Sequence, residues 1–248
     1  MDRYRTAANL STLANGLVGA GAIAYVLAGN KLWAMLLIVC GIGFDGLDGL
    51  FSRRSPAGPS RFGRAADSFA DAITFGVAPA SLVAIHTDTA SSWLPWSNAC
   101  WVVAGLVAGL AVVRLVYFTA RGYRRSDFLG SPTPQTALGI VLVGMLFDRP
   151  ALLGVDPLIF LIVVTFLAVL MVAPIPFPKI RRGAPIRPVA TVTSVALVVA
   201  LLPLQFVPSV GSPVYWLAAA ATGVSLVGTA LYYVVGPFTV STSVASAP

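Results

Sequence analysis

Apolar residues run through the chain in long blocks, each interrupted by a short charged or proline-rich stretch rather than by a polar face. Blocks this long and uniform predict membrane-spanning helices, because a bilayer core takes about 20 apolar residues per helix. Eight are predicted, over residues 11–29, 31–53, 63–86, 93–119, 134–148, 157–174, 188–207 and 213–236, the fifth being the shortest. Asn30-Lys31, the turn Ser55-Pro56-Ala57-Gly58-Pro59 and the stretch from Pro174 to Pro188 punctuate them. The expected architecture is all-α, a polytopic membrane bundle of about eight transmembrane helices. It forms a single embedded domain over 1–248, with a core at 10–180 and an additional C-terminal helix pair at about 188–236. The tail after Gly236 is expected to fray.

Composition closes off the alternatives. Of 248 residues, 57% are hydrophobic and 10% charged, where a soluble domain carries about 25% charged residues. Disorder and a disulfide framework are excluded as well. The two cysteines, Cys40 and Cys100, sit in apolar runs without metal-ligand spacing. Sixteen Lys and Arg face nine acids, all of them Asp. In a membrane protein such an excess reflects positive-inside loops, so no nucleic-acid partner is expected. Fourteen of the sixteen basic residues fall before the first helix or in alternate loops, and only Lys31 and Arg149 fall on the opposite side. That split puts both termini in the cytoplasm. Nothing resembling an A-x-A cleavage site follows the polar start, so the first span is expected to be retained.

A charge inside a bilayer costs about 2.5–3.5 kcal/mol on insertion scales, so charges within the apolar runs carry the functional information. They form one group: Asp45, Asp48, Asp67 and Asp71. Spacings of three and four place each pair on one helical face. Counted at 1.5 Å per residue from Arg53 and from Gly63, all four lie about 6–12 Å below the cytoplasmic surface. Four carboxylates gathered there would repel one another, and divalent cations remove that problem. Oxygen donors without His or Cys favour a hard ion, Mg²⁺ or Mn²⁺. Such ions partner phosphate, and two of them can clamp attacking and leaving oxygens in a displacement at phosphorus. Gly49 and Gly63 permit close approach of a ligand to the backbone, and Arg53 and Arg54 stand at the mouth where a guanidinium grips phosphate. The same aspartates would also suit an ion-coupled transporter.

Asp45-x-x-Asp48-Gly49-x-x-Ser52-Arg53, then nine residues, then Gly63-x-x-x-Asp67-x-x-x-Asp71, resembles the signature of the CDP-alcohol phosphotransferase family. Ser52 stands where the family usually has Ala, and the spacer is one or two residues longer than usual, which a loop absorbs cheaply. Thr12-Leu13-Ala14-Asn15, the run from Asp67 through Ala80, Phe128 to Pro134, and Met171 to Pro178 look like the membrane-integral phosphatidylserine synthase branch of that family.

The resemblance implies an enzyme of phospholipid biosynthesis in the cell membrane, its site facing the cytoplasm. It would transfer a phosphatidyl group from CDP-diacylglycerol to the hydroxyl of L-serine and release CMP. Inositol phosphate or glycerol phosphate are the alternative acceptors. Asp45, Asp48, Asp67 and Asp71 would hold two divalent ions, and Asp71 would also act as general base. Asn15, Gly49, Ser52, Arg53 and Gly63 would contact the nucleotide. Arg114 and Arg121, at the cytoplasmic end of the fourth helix, are candidates for the acceptor carboxylate. Membrane lipids are the expected surroundings, and pairing as a homodimer is an expectation carried by the resemblance alone.

Overall fold

The computed structural model describes residues 3–56, 61–85, 96–121, 128–148, 157–177 and 212–245. The chain divides into two compact units, Met1–Gly122 and Tyr123–Pro248. Among the described residues both are helical, apart from one two-residue ladder in the second.

In the first unit α1 (Arg3–Leu27) and α2 (Lys31–Arg54) form a tight hairpin. Gly29, at φ 76°, takes the left-handed position that ends α1. Its N–H reaches Val26 O at 2.9 Å, and the N–H of Asn30 reaches Tyr25 O at 2.8 Å. The Asn30 side chain then accepts from the N–H of Trp33 and caps α2, while Tyr25 and Trp33 stack across the turn at 6.0 Å. The expected boundary at Asn30-Lys31 therefore holds. The start of α1 does not, since it begins at Arg3 rather than near residue 11. Hydropathy marks the length of apolar surface, and the polar first turns remain good helix formers. The buried face of α1 carries Ala8, Ser11, Thr12, Asn15, Gly19, Ala22 and Val26, small or polar residues that let the helices approach closely.

α3 (Arg61–Asp71) passes through a π-helical turn (Ala72–Val77) into α4 (Ala78–Ala84), one continuous run where a single helix over 63–86 is predicted. The N–H of Ala78 bonds to Ile73 O, five residues back. Pro79 lies in the first turn of α4. It lacks an N–H, and its ring would press on the carbonyl of Phe75, so a widened turn relieves the conflict. α5 (Trp96–Arg121) lies along this run, touching α4, the π turn and α3.

In the second unit β1 (Phe128–Leu129) pairs antiparallel with β2 (Pro176–Phe177), joining two of the segments that carry the family resemblance. α6 (Thr133–Asp148) packs on α7 (Pro157–Leu170), where Phe147 meets Phe160 at 4.9 Å. α8 (Pro213–Ala245) buries Tyr232 against Phe177 at 5.7 Å. Tyr233 accepts a hydrogen bond from Ser131 at 3.1 Å. The tail expected to fray after Gly236 instead continues α8 through Pro237 to Ala245. An apolar helix tolerates an internal proline where water does not compete for the freed carbonyl. The helix predicted over 188–207 lies outside the described residues.

Among the described residues, four helical stretches are long and apolar enough to cross a bilayer: Arg3–Leu27, Lys31–Arg54, Asn98–Tyr117 and Trp216–Val235. Thr133–Phe147 and Pro157–Leu170 are shorter apolar helices. Large apolar side chains stand exposed along them, including Leu17 at 63%, Val102 at 72% and Val234 at 65%. Surface of that kind suits lipid rather than water.

Candidate active site

Three helices of the first unit build the acidic site. Asp45 and Asp48 come from the last turns of α2, and Asp67 and Asp71 from α3, the latter just before the π turn. Asp45, Asp67 and Asp71 each offer one carboxylate oxygen, all within 4.8 Å of one another. A hard divalent ion binds oxygens at about 2.0–2.6 Å, which sets opposite ligands about 4–5 Å apart, so the spacing fits an ion held between the three. Asp48 belongs to a neighbouring position. It is buried, accepts a hydrogen bond from the Thr12 hydroxyl of α1, and lies within hydrogen-bonding reach of Asp67. The four predicted carboxylates thus come together as three convergent groups and one tied to α1.

Asn15 is fully buried on α1, and its Nδ2 donates to Asp71 Oδ1 at 2.9 Å. Among the described residues its Oδ1 has no hydrogen-bond partner. A Cβ placed on Gly41 of α2 would come 3.1 Å from that oxygen. The carboxamide is therefore wedged between Asp71 and the α2 backbone, with only its amino group free to serve the carboxylate. The Thr74 hydroxyl, on the π turn, donates to the backbone carbonyl of Asn15 at 2.8 Å. Gly19 and Gly41 receive Thr74, since a Cβ on either would overlap it.

The remaining predicted residues lie on α2, α3 and α5. Gly49 and Ser52 are half-buried on α2, and Gly63 is half-buried on α3. Arg53 is exposed, and its guanidinium lies over Gly49, with Nη1 3.4 Å from where a Cβ would stand. Arg114 is buried on α5 at 8% exposure. It follows Val107 and Ala111 on the stripe of α5 that packs inward, and Ala111 sits against Gly76 of the π turn. Arg121 closes α5.

Thr12 and Thr74 are functional candidates to which sequence reasoning assigned no role. Thr12-x-x-Asn15 carried a signal, two polar residues one turn apart inside an apolar helix. Thr74 carried none, because its direction depends on the π turn.

Long apolar helices and a half-buried carboxylate cluster on α2 and α3 define a membrane-integral protein with an acidic site set into its helices. The model of the CDP-alcohol phosphatidyltransferase family matches residues 5–174. The chain belongs to that family and is an enzyme of its class. It is 31% identical over 176 residues to a CDP-diacylglycerol–serine O-phosphatidyltransferase of Bacillus subtilis, a match covering 70% of this chain and 90% of the relative. A protein of the same name from Helicobacter pylori is 31% identical over 178 residues, covering 70% and 72%. One from Mycobacterium bovis is 32% identical over 195 residues, covering 72% of this chain and 65% of the relative.

Proposed function

We propose that the protein transfers a phosphatidyl group from CDP-diacylglycerol to the hydroxyl of L-serine, forming phosphatidylserine and releasing CMP. The observation that carries this reading is the convergence of Asp45, Asp67 and Asp71 within 4.8 Å, at the positions of the family signature. Relatives named for the serine reaction supply the acceptor. On this reading the chain is a single embedded catalytic domain of about eight spans, with both termini and the site on the cytoplasmic side.

Asp45, Asp67 and Asp71, with Asp48 beside them, would hold Mg²⁺ or Mn²⁺. When bound, such ions neutralise the diphosphate and stabilise the charge that develops during displacement. Gly49, Ser52 and Gly63 would let the nucleotide lie close to the backbone, and Arg53 would grip phosphate oxygens at the mouth. Asn15, the remaining nucleotide candidate, acts through its hydrogen bond to Asp71. Arg114, with Arg121 at the helix end, would take the serine carboxylate and aim the hydroxyl at the phosphorus that bears the diacylglycerol. The serine oxygen bonds to that phosphorus as the bond to the CMP oxygen breaks, and Asp71 accepts the hydroxyl proton late in the step.

Purified protein supplied with CDP-diacylglycerol, Mn²⁺ and labelled serine tests this. The expected result is CMP release that depends on serine. Release only with inositol phosphate or glycerol phosphate would reassign the acceptor. No release with any alcohol, together with Asp-dependent ion flux in liposomes, would favour a transporter instead.

A further inference from the structure

We infer that α1 is the positioning element of the acidic site, holding the carboxylates of the other two helices from behind through Thr12 and Asn15. The inference rests on the metal reading above and assigns to α1 a role distinct from nucleotide contact.

Two donors one helical turn apart reach two different helices. The Thr12 hydroxyl donates to Asp48 of α2, and the Asn15 amide donates to Asp71 of α3. Each donor is itself held. Thr12 also lies 3.1 Å from the Ala8 carbonyl, which fixes its rotamer along the helix. Asn15 is locked by Gly41 against its Oδ1 and by Thr74 on its backbone carbonyl. One turn further on, Gly19 receives Thr74. The stripe Thr12, Asn15, Gly19 therefore records the placement of both acidic helices on a single rigid face.

A donor behind a carboxylate selects which oxygen faces the ion and raises the preorganisation of the ligand set. Loss of such a contact commonly weakens metal binding about 10–100-fold. Thr12 matters because, without its hydroxyl, Asp48 loses the donor that orients it beside the trio. Asn15 matters because its amino group donates to Asp71, the group assigned the proton.

The test is Mn²⁺ titration of full-length protein in nanodiscs, followed by electron paramagnetic resonance of free Mn²⁺, without any nucleotide donor. Thr12→Val keeps the shape and removes the donor, and Thr12→Ser keeps the donor. The expected result is an affinity about tenfold weaker in T12V, restored in T12S, with an unchanged thermal midpoint in both. Asn15→Ala should weaken Mn²⁺ binding similarly and lower kcat more than it changes the KM for CDP-diacylglycerol. Equal affinity in T12V and wild type overturns the inference, as does a loss that T12S fails to restore. A wild-type protein that binds no Mn²⁺ overturns the metal reading itself, a different failure from unchanged binding in the variants.

Discussion

Gly41 offers a quantitative test of how the three helices lock together. A Cβ there would overlap Thr74 Cγ2 and approach Asn15 Oδ1 to 3.1 Å and Val18 Cγ2 to 3.5 Å. Overpacking of this kind costs about 1–3 kcal/mol. Replacing a mid-helix Gly by Ala returns about 0.8–1.0 kcal/mol. Gly41→Ala should therefore destabilise by about 1 kcal/mol net. Thr74→Ser removes the offending methyl and keeps the hydroxyl that bonds to Asn15, so alone it costs about 0.5–1.5 kcal/mol for one buried methyl. In the double variant the new Cβ occupies the space that methyl leaves, and stability should return to within about 0.5 kcal/mol of wild type. The coupling between the two changes is then about 2 kcal/mol, well beyond the 0.3–0.5 kcal/mol scatter of independent sites. Unfolding by SDS titration in mixed micelles measures all four corners of the cycle. Additive effects would refute the packing of Thr74 into Gly41 and, with it, the account of how Asn15 is held.

Other substitutions probe the chemistry. Asp71→Asn should lower kcat by about 10²–10⁴, the usual worth of a positioned acid or base, and weaken Mn²⁺ binding at least as much as Asn15→Ala; full turnover would remove it from the reaction. Asp45→Asn should weaken metal binding measured by calorimetry, and unchanged binding would exclude it as a ligand. Arg114→Ala should raise the KM for serine about 10–100-fold, the worth of a charged hydrogen bond, and leave the KM for CDP-diacylglycerol unmoved; an equal rise in both would make it a structural residue.

Much of this site was legible from residue order. Spacings of three and four along helices place Asp45 with Asp48 and Asp67 with Asp71 whatever surrounds them, because helical geometry is local. The cost of burying charge then singles these residues out from every other polar position in the apolar runs. Helix ends were legible where a turn residue sets them, as at Gly29 and Asn30, and illegible where only hydropathy marked them, as at Arg3 and after Gly236. The π turn left no trace in the pattern, since Pro79 constrains the backbone without stating whether the helix breaks, kinks or widens.

Residue order alone determined that the protein is a helical membrane protein and which carboxylates lie within its apolar runs, because hydropathy and helical period act over a few turns at most. Only the tertiary structure decided that three of those carboxylates converge while Asp48 turns to Thr12, and that Asn15 serves Asp71. Those outcomes depend on how closely α1, α2 and the π turn approach, and that distance is set by Gly19, Gly41 and Thr74, which lie far apart in the chain and meet only when it folds.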